Sequence, residues 1–403
     1  MEYLITAGQL VTGPGGQRLR DGAVLVRGGT IAGVGPRAEI APLAAAGATV
    51  VSFPDGTVLP GLIDCHVHLA LDAGPDPVTA LLDTDDTGLL AGMAERARLL
   101  LDSGVTTVRD LGDRGGLALR LRHSIEQDAA PGPRILSAGT PLTRPGGHCW
   151  FFGGEVSDEE ALRGLVRRNV WDGVDVIKVM ATGGGITKGG PPVWEAQFTA
   201  GELGLVVAEA RRAGLPVAAH AHGTEGIAAA VAAGVDTIEH CTWMARDGFD
   251  VREDLVAEIA AKGIRVCPAA SPDWRGFARR FGPERAEEMF DRLRWMAGQG
   301  VRLIAGTDAG VAHAVFDGFV SSLEFFRHIG FSPAEAIDAA TVEAALALGI
   351  ASDTGRLAPG YRADLIAVTG DPLADLAALR DVRLTMSAGR PHVPAGSPAP
   401  APR

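Results

Sequence analysis

Between about Val58 and Ile350 the chain repeats one rhythm: a short β-branched run ends in a polar or glycine cluster, and a longer Ala/Leu/Arg-rich amphipathic stretch follows. Few folds accommodate such an alternation. The apolar runs are VLPGLIDCHVHL, VTTVRDLG, PRILSAGT, VDVIKVMATG, PVAAHAHG, DTIEHCTW, IRVCPA and VRLIAGTDAG, with helical patterns such as DDTGLLAGMAERARLLLDSG and TAGELGLVVAEARRAG between them. Strands alternating with helices demand crossover connections and therefore a parallel sheet. Eight such units in roughly 250–300 residues favour an α/β fold closed as a (β/α)8 TIM barrel over an open doubly wound sheet. The barrel is predicted over residues 58–353. Residues 1–57 and 354–393 instead alternate like short strands broken by Gly and Pro, which predicts a small composite β-sandwich built from both chain ends. The last residues, 394–403, are low in complexity and predict a disordered tail.

In a barrel of this kind the carboxyl ends of the strands carry the chemistry, and the polar residues fall there. His66 and His68 close the first run. Their spacing of two puts both imidazoles on one face of a strand, within reach of one ion. His220 and His222 end the fifth run, His240 the sixth and Asp308 the eighth. Lys178 sits inside the fourth run and is one of three lysines, with Lys188 and Lys262, among 37 basic residues. A buried ammonium is costly, so this amine either deprotonates, pairs with a carboxylate, or has reacted with carbon dioxide to give a carbamate. A carbamate has the charge and shape of a carboxylate and can bridge two cations, which arginine does not readily provide. Taken singly, each histidine reads as a hydrogen-bonded structural residue. The convergence of the histidines, Lys178 and Asp308 from five strands reads as a metal site.

HVH, the lysine of IKVMATGG, the later histidines and the aspartate of GTDAG together resemble the amidohydrolase superfamily. The likeness is to its branch of imidazolonepropionase-related, prolidase-like metallopeptidases, and it extends over nearly the whole chain through PGLIDCHVHL and GRLAPGYRADLIAV. The resemblance implies that His66, His68 and Asp308 bind one metal, His220 and His240 a second, and carboxylated Lys178 bridges them. The expected cofactor is zinc, two ions per chain, with other divalent metals accepted by the same ligands. The expected reaction is hydrolysis of a peptide bond, dipeptide-like or in a peptide natural product, or of an N-acyl amino acid amide. Hydroxide formed at the metals attacks the carbonyl carbon, and Asp308 carries the proton to the leaving nitrogen.

Several assignments stay open at this level. His148, in PLTRPGGHCWFFGGE, either hydrogen-bonds the substrate carbonyl or shapes its glycine-rich loop. His222 stands where some relatives carry tyrosine and is a second candidate for substrate contact. His222-Gly-Thr-Glu225 also reads as HxxE, the pattern of a mononuclear deaminase or cyclic-amide hydrolase with Glu225 as proton shuttle, although that leaves Lys178 without a role. Arg275, Arg279 and Arg280 read as a solvated helix face or as a carboxylate clamp. His313 is a candidate pocket residue, and His123, His328 and His392 read as structural or surface groups. A non-enzymatic scaffold would have lost ligands, whereas here every ligand position is filled.

Composition narrows the partners. A formal net charge of −12 argues against nucleic acid and anionic membranes. The opening MEYLITAGQL has no cationic stretch before a long apolar one and reads as carrying no secretory signal. No apolar run is long enough to span a bilayer. Cys65, Cys149, Cys241 and Cys267 are scattered without a CxxC pair and read as buried free thiols of a cytoplasmic protein. The expected partners are a small peptide or amide substrate and further copies of the chain.

Overall fold

The computed structural model describes residues 1–394, so the tail expected over 394–403 lies, apart from Pro394, outside the described residues. The fold is mixed α/β. The chain begins with four long strands, β1 (Glu2–Gly13), β2 (Gln17–Arg27), β3 (Thr30–Pro36) and β4 (Thr49–Pro60). It continues through β5 (Leu62–Val67), β6 (Val105–Asp110), β7 (Arg134–Ser137), β8 (Ile177–Met180), β9 (Val217–Gly223) and β10 (Thr237–Ala245). A two-residue hairpin arm, β11 (Gly248–Phe249), precedes β12 (Arg265–Cys267), and β13 (Leu365–Thr369), β14 (Val382–Ser387) and β15 (Arg390–His392) close the described chain.

The strands of the two chain ends pair with each other. They form one seven-stranded sheet in the order β15-β14-β13-β4-β1-β2-β3. Val24 and Ile31 from one flank share an apolar core with Leu365 and Leu384 from the other, so the sheet curls around its own interior. Register shifts at Ala7/Gln9 and Leu25/Val26 interrupt its ladders, as bulges do where a sheet bends.

The middle strands are parallel. β5, β6 and β7 pair in that order, and β8, β9, β10 and β12 in theirs. The two groups are linked where the Leu142 N–H donates to Lys178 O and the Met180 N–H to Leu142 O, both at 2.8 Å. Helices follow the strands, among them Asp86–Asp102, Glu159–Asp172, Ala200–Arg212 and Thr224–Ala233. Asp85, Asp158 and Thr199 cap three of them by accepting a backbone N–H in the first turn.

The eighth expected strand differs from the expectation. Residues 301–309 carry no regular strand, only isolated bridges from Leu303 to Val266 and from Ala309 to Val67 and Val311. The segment still joins its neighbours: Ile304 N donates to Val266 O at 3.0 Å, Cys65 N to Ala305 O at 3.0 Å, and His68 N to Ala309 O at 2.8 Å. The ladder fails because Thr307 N turns to the buried carboxylate of Asp64 at 3.1 Å, and Asp308 adopts a left-handed φ of 59°.

At Pro60-Gly61 the chain leaves the terminal sheet for the parallel strands. A Cβ on Gly61 would lie 2.1 Å from Thr106 Oγ1, so the crossing is open only to glycine. Gly61→Ala should lower stability by about 1–3 kcal/mol through overpacking, read from the urea midpoint. Adding Thr106→Ala should recover part of the loss; additive effects would contradict this contact.

Candidate metal centre

The carboxyl ends of β5, β8, β9 and β10 and of the segment ending in Asp308 bring His66, His68, Lys178, His220, His222, His240 and Asp308 around one cavity of about 50 Å³. His148 reaches the same cavity from the loop after β7. Larger hollows of about 570 and 1110 Å³ lie elsewhere and hold no such cluster.

Two groups of ligating atoms are pre-assembled, each within 4.8 Å: His66, His68 and Asp308, and His220, His222 and His240. His66 Nε2 is 3.3 Å and His68 Nε2 3.6 Å from Asp308 Oδ1. The ring centroids of His220 and His240 are 4.6 Å apart, and His222 stacks on His240 at 4.4 Å. This register is held by Asp64, whose carboxylate accepts from His66 N, Thr307 N and Thr307 Oγ1 and so ties the first strand to the eighth segment. His240 and Cys241 join Asp308 at left-handed φ values of 69° and 53°. Such conformations cost about 1–3 kcal/mol each in non-glycine residues and collect at functional sites.

Most of these imidazoles commit one nitrogen to the protein and keep the other as a lone pair. His66 Nδ1 donates to Glu239 Oε2 at 2.9 Å, His68 Nδ1 to Gly112 O at 3.2 Å, and His220 Nε2 to Gly183 O at 3.1 Å. Thr242 Oγ1 donates to His222 O at 3.3 Å, so it accepts from His222 Nδ1 at 2.9 Å. That is the arrangement in which metal-ligating histidines are held.

Lys178 is 1% exposed, and its Nζ has no hydrogen-bond partner among the described residues. Burial pushes its pKa down. Burial also drives the histidines toward neutrality: His68 and His222 to about 4, His148 to about 3, and His220 and His240 well below the ordinary value. For His66 the same desolvation is outweighed by the Asp308 carboxylate, and its pKa rises. Burial opposes charge on Asp308 as well, but His66 prevails and holds it far below the usual carboxylate range.

The orphaned amine and the lone-pair nitrogens make a donor set that suits divalent cations. His66, His68, His220, His240 and Asp308 would hold them, with Lys178 between if carboxylated. His222 stands with the second group rather than apart from it. Glu225 lies on the first turn of helix Thr224–Ala233, exposed and paired with Arg252. Arg275 pairs with Glu324, and Arg279 and Arg280 with Asp273, on the outside of the molecule. His313 and His123 are exposed, His328 meets Glu287, and His392 meets Asp102. All four cysteines are buried and free.

Sequence reasoning passed over the groups beneath the site. Arg109 and Glu239 are buried and 2.8 Å apart. Burial disfavours the Glu239 charge, but Arg109 keeps its pKa far below the ordinary range. A charged residue inside a buried run, as in VTTVRD and TIEH, was the available signal. Thr187 was not readable in this way: its hydroxyl lies 2.9 Å from both His148 Nδ1 and Cys149 N, a contact between distant loops.

The match to known proteins agrees with this geometry. Residues 57–391 fit the model of the amidohydrolase family. Ochratoxinase of Aspergillus niger is 30% identical over 93% of this chain and 82% of its own, and its crystal structure superposes with a TM-score of 0.84. Imidazolonepropionase of Pseudomonas putida is 26% identical over 89% of this chain and 90% of its own. The crystal structure of a Xaa-Pro dipeptidase with methionine bound in its active site is 29% identical, with a TM-score of 0.85 over 98% of this chain and 100% of that one. The chain belongs to the amidohydrolase family, and it is a metal-dependent hydrolase of amide-type carbon–nitrogen bonds. No helix among the described residues is long and apolar enough to cross a membrane.

The depressed histidine values set a pH dependence for the metal-free protein. A histidine lowered in the folded state adds stability that is complete above its unfolded pKa of about 6.5 and is lost as the pH falls toward its folded value. For His148 the window runs from about 6.5 down to about 3. His148→Gln should therefore lose less stability than the parent between pH 6.5 and 4.5, by up to about 1.4 kcal/mol per pH unit. Parallel denaturation profiles for the two proteins would contradict this.

Proposed function

We propose that the chain is a binuclear amidohydrolase, built as a (β/α)8 barrel over 58–353 with a β-sandwich from residues 1–57 and 354–393. In this reading it cleaves the amide of a dipeptide-like substrate, a peptide natural product or an N-acyl amino acid. The observation that carries the reading is Lys178: a buried amine without a partner, inside a shell of histidines and one aspartate. Carboxylation relieves that isolation and supplies the missing bridging carboxylate. Two divalent cations, zinc in the first instance, would supply Lewis acidity and a lowered pKa for water.

The chain's own residues account for the rest. Asp308, whose carboxylate stays ionised, is the group to accept a proton from attacking water and return it to the leaving nitrogen. His148 is neutral; with Thr187 donating to its Nδ1, its Nε2–H lies 3.4 Å from Cys149 Sγ and would turn from that weak acceptor to a substrate carbonyl. Gly184 packs against that ring, where a Cβ would approach Cε1 to 2.2 Å. His222 serves either substrate contact or the second ligand group. The cytoplasm and a homo-oligomeric assembly belong to the same reading.

The names of the relatives, an ochratoxinase and a Xaa-Pro dipeptidase, support an amide carrying an amino acid as substrate class. A deaminase using Glu225 is less well supported, because that carboxylate is exposed and engaged by Arg252. The test combines metal analysis with activity on a library of dipeptides and N-acyl amino acids. Lys178→Ala should lower kcat/KM by about 100-fold or more and reduce bound metal. Glu225→Gln should stay within about twofold of the parent. A fully active Lys178→Ala beside a dead Glu225→Gln would move the assignment to the deaminase.

A further inference from the structure

Beneath the cavity a buried network joins three strands. Glu239 Oε2 accepts from His66 Nδ1 at 2.9 Å, while Oε1 accepts from Arg109 at 2.8 Å and from Thr237 Oγ1 at 2.6 Å. Arg109 is itself held, donating from Nε to Cys65 O at 2.7 Å and from Nη1 to Thr237 Oγ1 at 3.0 Å. Glu239 is fully buried, so its carboxylate has no water to turn toward and its orientation is set by these contacts.

We propose that Glu239 is a positioning residue that fixes the His66 ring with Nδ1 protonated, so that Nε2, the nitrogen facing Asp308, is the one offered to a divalent cation. The inference rests on the metal centre proposed above and deepens it. Among the histidines of the cavity, His66 alone has a charged acceptor behind it: His68 and His220 donate to carbonyls and His222 to a hydroxyl. A carboxylate behind an imidazole raises its basicity as a ligand as well as fixing the tautomer. Arg109 completes the device as the buried partner that holds the other Glu239 oxygen, 2.8 Å away. His66, Glu239 and Cys267 also bring potential ligand atoms within 4.8 Å of one another. With Arg109 and His66 already occupying Glu239, that group is a support for the cation site rather than another one.

The test is zinc binding by the full-length, metal-depleted chain, measured in competition with a chromophoric chelator, alongside ¹⁵N NMR of the histidine rings in the zinc-loaded parent. The parent should take up two equivalents and show His66 protonated at Nδ1. Glu239→Gln should bind one equivalent about 10–100-fold more weakly and the other unchanged, and the thermal midpoint of the metal-free chain should fall because Arg109 loses its buried counter-charge. Unchanged affinity for both equivalents, or a His66 ring protonated at Nε2, overturns the inference while leaving the metal centre standing. A parent that takes up no zinc overturns both. If Glu239→Gln does not fold, the His66 tautomer in the parent decides alone.

Discussion

A primary amine enclosed by protein, with no hydrogen-bond partner among the described residues, is an unfavourable thing to fold around, and this molecule is organised about one. Lys178 lies where six histidines and Asp308 converge, and an uncompensated polar group at such depth costs several kcal/mol unless something answers it. The surrounding shell supplies lone pairs rather than counter-charge: imidazoles neutralised by burial and a single cavity-facing aspartate. In the proposed centre a carbamate on the amine, together with divalent cations, would answer both the excess of donors and the isolated nitrogen. The proposed chemistry and the stability of the site thus have the same physical origin.

Holding that shell in place takes a second layer of charge. Asp64 binds the first strand to the irregular eighth segment, and the Arg109–Glu239 pair braces His66 from below. Breaking one member of such a pair exposes the other as a buried, uncompensated charge, which is far costlier than losing a surface bridge. The strain at His240 and Asp308 is tolerated because these neighbours over-determine the backbone. Surface ion pairs such as Arg279–Asp273 and Lys188–Asp76 contribute little beside this interior network.

How much of this was legible in the residues alone follows from the range of the forces involved. HVH, AAHAH and IEH place their histidines at strand ends by local pattern, and the alternation of runs gives the parallel strands for the same reason. The irregularity of residues 301–309 was not legible, because it arises where Asp64, some 240 positions earlier, captures Thr307. Arg109 and Glu239 were visible as charges in apolar runs, but their meeting depends on two strands distant in sequence. Glu225 shows the converse: its HxxE spacing suggested proton transfer, and one helical turn carries it out to Arg252 and solvent.

The account rests on the state of the Lys178 nitrogen, and ¹³C NMR of the zinc-loaded enzyme in ¹³C-labelled bicarbonate addresses it directly. With only Lys188 and Lys262 as further lysines, both outside the cavity, the spectrum is open to assignment. A carboxylated Lys178 should give one carbamate resonance per chain, absent from Lys178→Ala and lost when the metal is removed. A fully active, zinc-loaded enzyme without that resonance would contradict the carboxylation.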